Sequence, residues 1–211
     1  MSTVTIAATY GAGGSLIAPK VAEQLGLRMI DRAFGRAAAS EFAEPLQEEM
    51  LENDELHESR LTTILSRAMS VSGLWVGVPL APEEVGFDDR IMATEKALRL
   101  AANREGAVIL GRAGVFVLAE RPDVLHVRVD GPKEARVRQA MWITHADEPT
   151  ARRQLKENDA ARHAYIDHFY PHEGWQDPAN YHLMLDSTAI AIDACVEIIV
   201  AAARSRFAHP Q

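Results

Sequence analysis

The chain has 211 residues, enough for one domain with a sizeable core, and its 47% hydrophobic and 25% charged content is ordinary for a globular protein. A formal net charge of −8 excludes a general nucleic-acid binder, which must neutralise many phosphates with Lys and Arg, but leaves room for a local basic pocket. The single cysteine, Cys195, excludes an internal disulfide and a cysteine cluster for zinc; with no signal-peptide pattern and no apolar run of membrane-spanning length, a cytoplasmic protein is expected.

In chain order, Val4-Thr5-Ile6-Ala7-Ala8 reads as a strand and Thr9-Tyr10-Gly11-Ala12-Gly13-Gly14-Ser15 as a glycine-rich turn. Ile17, Val21 and Leu25 then repeat at helical spacing, and Gly26 marks a helix stop. Strand, turn and helix start follow without spare residues, the arrangement that lets backbone N–H groups and a helix N-terminus converge on a phosphate. Ser15 stands where a Walker-type loop places its magnesium-binding hydroxyl, and Gly14 stands where that loop has its lysine. Arg28-Met29-Ile30-Asp31 reads as a second, short strand ending in an acid. Residues 33–73 look helical, broken near Pro45, and the acids between Glu48 and Glu58 suit a solvated face. Residues 74–87, with two prolines, suggest a packed loop.

Helix is expected over 88–103, a buried strand over 107–111 and another over 124–129. Asp130-Gly131-Pro132 closes that strand and opens a helix running towards Ile143; residues 149–169 form an Arg-rich helical segment. A last strand at 183–186 and a last helix at 189–207 complete the pattern, and the apolar setting of Cys195 suggests a packed thiol. Strands alternating with helices imply a parallel sheet covered on both faces, with ligands at the carboxyl ends of its strands. Asp31, Arg112 and the glycine turn all follow strand ends, so they should meet in one crevice.

Tyr10-Gly11-Ala12-Gly13-Gly14 with Ile17-Ala18, then Leu25-Gly26-Leu27 with Asp31-Arg32, resembles the opening of the cytidylate kinase-like family of P-loop proteins. The likeness continues through Val108-Ile109-Leu110-Gly111-Arg112, Val124-Leu125-His126-Val127 and Arg136-Val137-Arg138. It ends at Asp159-Ala160-Ala161-Arg162 and Leu185-Asp186-Ser187-Thr188. The resemblance implies an α/β fold, a P-loop NTPase-type three-layer sandwich with a central parallel sheet and a helical lid. On this reading residues 1–211 form a single domain, with the lid at about 145–175 and a variable helical insertion at about 37–87.

The implied activity is phosphoryl transfer from ATP, with Mg2+, to a nucleoside monophosphate or similar small acceptor; positioning and charge neutralisation carry most of such a reaction. Gly11, Ala12, Gly13, Gly14, Ser15 and Leu16 would bind the donor phosphates, with Ser15 also touching the metal. Asp31 would order a metal-bound water, orient the acceptor, or merely cap its strand. Arg112 resembles the arginine that holds the acceptor phosphate, for which a guanidinium fork is well shaped. Arg136 and Arg138 resemble arginines beside the nucleotide base, while Arg152, Arg153 and Arg162 fall where a lid would bring one over the transferring group. Asp186-Ser187-Thr188 is equally well explained as a helix cap, and His163, His168 and His172 have no spacing that fixes a metal.

Two departures stand out: Gly14 stands where a Walker loop has its lysine (the resemblance implies that Gly-Gly is usual there, often with a basic residue next, where here Ser15 and Leu16 follow), and Ala113 stands where cytidylate kinases have an acid after the arginine. The alternative is therefore a non-catalytic nucleotide or phosphate sensor that has lost the lysine. A third reading is a partner-binding protein using the acidic helix. The expected partner is a nucleotide or other phosphorylated small molecule, not nucleic acid or membrane, and the apolar residues before Gly73 and around Trp75 offer a homodimer surface.

Overall fold

Val4 and Ile6 point to one side of the first strand, β1 (Thr3–Ala8), while Thr3 and Thr5 point to the other, and all four are buried. A computed structural model describes residues 2–30, 87–111, 113–171 and 174–208 of the chain. After the glycine turn, α1 (Gly14–Leu25) buries Ile17, Ala18, Val21 and Ala22 at helical spacing. Gly26 ends it at φ 64°, with its N–H bonded to the carbonyls of Ala22 and Glu23, a left-handed cap that glycine adopts without steric cost. Then come β2 (Arg28–Ile30), α2 (Phe87–Arg104), β3 (Ala107–Leu110), the single turn α3 (Gly114–Val117) and β4 (Val124–Asp130). They are followed by α4 (Lys133–Thr144), α5 (Glu148–Phe169), a 3-10 turn (Pro178–Asn180), β5 (Leu183–Asp186) and α6 (Ile192–Ala208).

The five strands form one parallel sheet in the order β2-β3-β1-β4-β5. On one face Val4, Ile6, Val108, Val127 and Val129 pack against Ile17 and Val21 of α1 and Cys195, Val196 and Ile199 of α6. On the other face Ile30, Ile109 and Val124 meet Leu98 and Ala102 of α2 and Val117 and Leu118 at the end of α3. The molecule is thus an α/β three-layer sandwich around a parallel sheet, as the alternating pattern requires. The centre of the second face is unlike the rest: Thr5, His126 and Arg128 are buried there side by side.

Asp147 caps α5, its side chain accepting from the N–H of Thr150, and the first half of the helix buries Ala151 and Leu155 against Val137 and Ala140 of α4. The last helix starts at Ile192, three residues later than expected. Asp186 Oδ1 accepts from Thr188 N–H, Thr188 Oγ1–H and Ala189 N–H, so those groups close a turn before the helix begins. The expected insertion, the acidic helix and the homodimer surface fall outside the described residues, apart from Phe87 at the start of α2. Asp31, Arg112 and His172 also fall outside them. No helix among the described residues is long and apolar enough to cross a membrane.

Candidate active site

The glycine turn joins β1 to α1 at the carboxyl edge of the sheet. Gly13 is the N-cap of α1 at φ 71°, with no side chain capping the helix. The carbonyl of Gly13 accepts from the N–H groups of Leu16 and Ile17, and that of Thr9 accepts from Ala12. Among the described residues, Gly11, Gly13, Gly14 and Ser15 are left with N–H groups not taken by another main-chain atom. The N–H groups of Ala12 and Leu16 are taken by the turn's own carbonyls. The remaining donors at an uncapped helix start make an anion site. These N–H groups are the ones that could hold a phosphate, with the exposed Ser15 side chain beside them.

Each glycine of the turn also has a packing reason. A Cβ on Gly11, at φ 80°, would lie 2.2 Å from the carbonyl oxygen of Arg136; one on Gly13 would lie 2.6 Å from Ile192. A Cβ on Gly14 would lie 2.4 Å from that of Ala8 and 3.3 Å from Leu110, so a Walker lysine has no room at this position. Lys20, the next cation along α1, does not reach back, since its Nζ pairs with Asp193 at 2.6 Å.

Beside the turn, where β1 and β3 end, lies a small cleft of about 50 Å3 lined by Thr5, Ala8, Gly111, Ala113, Tyr165, Arg162 and Trp175. α5 delivers Arg162 and Tyr165 to it because 155, 158, 162, 165 and 166 share one helical face, along which Leu155, Asn158, Tyr165 and Ile166 are buried. A chain of charged groups connects this cleft to the turn. Arg128 donates Nε and Nη2 to Asp130 Oδ2 (3.2 and 2.5 Å) and Nη1 to the carbonyl of Trp175 (2.6 Å). The Trp175 ring has the guanidinium carbons of Arg128 and Arg162 at 4.2 and 4.7 Å from its centroid. Arg162 approaches Asp159 at 3.9 Å, Asp159 accepts from Arg136 at 3.0 Å, and Arg136 donates to the carbonyls of Tyr10 and Gly131, each at 3.0 Å. Asp130 closes the loop by accepting from Thr9 Oγ1 at 2.7 Å and Gly131 N–H at 2.9 Å. Burial pushes the Asp130 carboxyl up, but the hydrogen bonds from Thr9, Arg128 and Gly131 outweigh it and hold the group below its usual range.

Of the arginines expected on the lid, the structure brings only Arg162 to the cleft. Arg153 is two residues from the buried Ala151, about 200° around the helix, and is exposed on the outer face of α5. Arg152 is turned outwards to Glu134 and Glu148. Arg136, expected beside the base, has its guanidinium enclosed by Tyr10, Gly131 and Asp159, with only 9% of the side chain exposed. Arg138 is exposed on α4. Three participants were not anticipated: Arg128, Asp130, and Ser187, whose hydroxyl donates to the Ala12 carbonyl at 2.6 Å. The sequence did carry a sign of the first two. A central strand reading His126-Val127-Arg128-Val129-Asp130 has polar residues at every second position, where a strand buried on both faces is ordinarily apolar throughout.

The family model described as the cytidylate kinase-like family matches residues 3–189. The chain belongs to the cytidylate kinase-like family. Among solved structures, this family member resembles an uncharacterized protein from Eubacterium ventriosum, with TM-score 0.69 and 18% identity over 97% of this chain and 99% of that one. It also resembles a gluconokinase from Sinorhizobium meliloti, with TM-score 0.54 and 17% identity over 97% and 92%. At these identities the likeness is one of fold. Among curated proteins it matches part of a uronate isomerase from Corynebacterium glutamicum, at 29% identity over 101 residues. That match takes in 48% of this chain and 19% of the other, so the chain spans about a fifth of the length of this curated relative.

Proposed function

We propose that this kinase-like protein transfers the terminal phosphoryl group of ATP, as its Mg2+ complex, to a nucleoside monophosphate or similar small anionic acceptor. The supporting observation is the placement of Arg162: α5 holds it in the cleft that opens where β1 runs into an uncapped helix start. Donor phosphates would rest on the N–H groups of Gly11, Gly13, Gly14 and Ser15, with the Ser15 hydroxyl on the metal, and the acceptor would enter the cleft from the β3 side. Asp31 and Arg112, at the ends of β2 and β3 in sequence, are proposed to complete the acceptor side, and Arg162 to neutralise charge on the transferring group. Bound ATP and Mg2+ would supply the phosphoryl group and a divalent charge. The chain itself orients the phosphates, excludes water with Tyr165 and Trp175, and supplies guanidinium charge.

A second reading is a nucleotide sensor without transfer. The closed space at Gly14 favours it, because removing one preorganised cation typically costs roughly 3 kcal/mol of transition-state stabilisation. Calorimetric titration with ATP and Mg2+, followed by ADP measurement against a panel of nucleoside monophosphates and small phosphorylated acids, separates the two: transfer requires both signals, sensing only the first. Ser15→Asp tests the donor site in either case. An acid at this exposed first-turn position interacts favourably with the helix dipole, so the melting temperature should hold or rise while ATP binding is lost. Unchanged ATP affinity in Ser15→Asp would exclude the helix start as the phosphate site.

A further inference from the structure

We propose that Asp159 is a positioning residue: it sets Arg162 over the cleft and couples that arginine, through Arg136, to the main chain of the glycine turn. The proposal deepens the phosphoryl-transfer reading and rests on it. Asp159 is shared unequally, with Arg136 Nη2 on Oδ2 at 3.0 Å and Arg162 Nη1 near Oδ1 at 3.9 Å. Arg136 in turn donates Nη1 to the carbonyl of Tyr10, which lies in the same rigid peptide unit as the Gly11 N–H. An anion drawn to that N–H and a guanidinium on that carbonyl polarise one peptide in the same direction, so each strengthens the other's bond. Gly11 also packs closely on Arg136, whose carbonyl oxygen sits 2.2 Å from where its Cβ would be. Hydrogen bonds thus join the turn, Arg136 and Asp159, and Arg162 is held to them by its ion pair with the same carboxylate.

A second link runs parallel to the first: the Tyr10 hydroxyl donates to Gln154 Oε1, binding the same turn to α5 one helical stretch earlier. Occupation of the turn would thus be transmitted along α5 to the residue that faces the acceptor. Asp130 is the other carboxylate within reach of Arg136, but at 3.6 Å from Nε it is already committed to Arg128 and Thr9.

Trp175 reports on this coupling, because the Arg162 guanidinium lies 4.7 Å from its ring. Arg128, at 4.2 Å, touches the same ring and is bonded to Asp130, which Arg136 approaches at 3.6 Å, so the Asp159 variants are the ones that isolate the Arg162 arm. The test uses the full-length protein with Trp75→Phe and Trp142→Phe, leaving Trp175 as the sole tryptophan, and adds Asp159→Asn, Asp159→Glu or Arg136→Lys. Far-UV circular dichroism screens each variant for folding; Asp159 is 31% exposed and its amide is nearly isosteric, so Asp159→Asn keeps the test open if Arg136→Lys fails to fold. Without ligand, Asp159→Asn and Arg136→Lys should both shift Trp175 emission and raise its quenching by acrylamide, and Asp159→Glu should restore much of the parental signal. With ATP, Mg2+ and an acceptor that turns over, Asp159→Asn should lower kcat while the KM for ATP changes by no more than about twofold. Trp175 emission indifferent to both Asp159→Asn and Arg136→Lys overturns the coupling, even if the protein proves to be a kinase. Failure of the parent to bind ATP, with Trp175 still responding to Asp159→Asn and recovering in Asp159→Glu, upholds the coupling and removes the phosphoryl-transfer reading instead.

Discussion

Gly11 and Gly26 both sit at positive φ, +80° and +64°, yet they should tolerate a methyl group very differently. At Gly26 nothing lies within 4 Å of the added carbon, so Gly26→Ala should cost only the left-handed strain, roughly 1 kcal/mol. At Gly11 the same strain is joined by a backbone oxygen at 2.2 Å that no side-chain rotation can move, so Gly11→Ala should cost more than about 2 kcal/mol. Urea titrations of the two variants check the ordering, and equal losses would contradict the close approach of Arg136. The pair also shows what sequence reading could reach at this scale. The glycine pattern located the turn and its exposed helix start, because backbone freedom is written in residue type. It did not reveal that three glycines serve internal packing, since their neighbours, Arg136, Ile192 and Ala8, come from other elements. Arg136 was misplaced for a related reason: residue type shows that a guanidinium is present, but only the fold shows which carbonyls enclose it.

The α5 helix is the element whose behaviour matters most. Its first half buries Leu155 to 2% exposure between Val137, Ala140, Ala151, Tyr10 and Met141, so this part is anchored to α4 and to the glycine turn. Leu155→Ala should therefore destabilise the whole protein by about 2–5 kcal/mol, as a core truncation does. A loss under about 1 kcal/mol in chemical denaturation would mean that the helix stands free of the body. Strand and helix positions were largely legible: a 2.0 or 3.6 residue period survives without tertiary information, and Gly26, Asp130-Gly131-Pro132 and Pro149 punctuate it. The one-turn α3 (Gly114–Val117) was not, because four residues are too few to display a period. Which side of α5 faces the cleft was likewise hidden. The helix carries arginines at 152, 153 and 162, and only contact with α4 decides that Arg162 turns inwards.

For the molecule as a whole, the buried polar stripe beneath the cleft predicts a pH response. His126 is 4% exposed, shares a 2.7 Å hydrogen bond through Nδ1 with Thr5 Oγ1, and stacks on His182 with ring centroids 5.1 Å apart. Burial, then the neighbouring His182 and the charge of Arg206, push its pKa down from 6.5 to about 4. The unfolded chain binds this proton more readily than the native one, so stability should be complete above pH 6.5, fall as pH drops, and level off for this group below about 4. The full span amounts to roughly 3 kcal/mol at one pKa unit per 1.36 kcal/mol. Denaturant midpoints across that range should show the slope, and His126→Asn should flatten it; an unaltered slope would assign the response to other groups.

The strand order carries a consequence for how the chain reaches this state. β1 lies at the centre of the sheet, between neighbours that begin 104 and 121 residues later in the chain, to judge from the bonds joining Thr3 to Ala107 and Thr5 to His126. During synthesis this apolar strand leaves the ribosome with neither edge satisfied and waits while the 104 to 121 residues that separate it from its partners are made. Such long-range closure slows folding and leaves a sticky segment exposed, so nascent chains arrested before β4 emerges should depend on chaperones, and dependence should drop once β4 can dock.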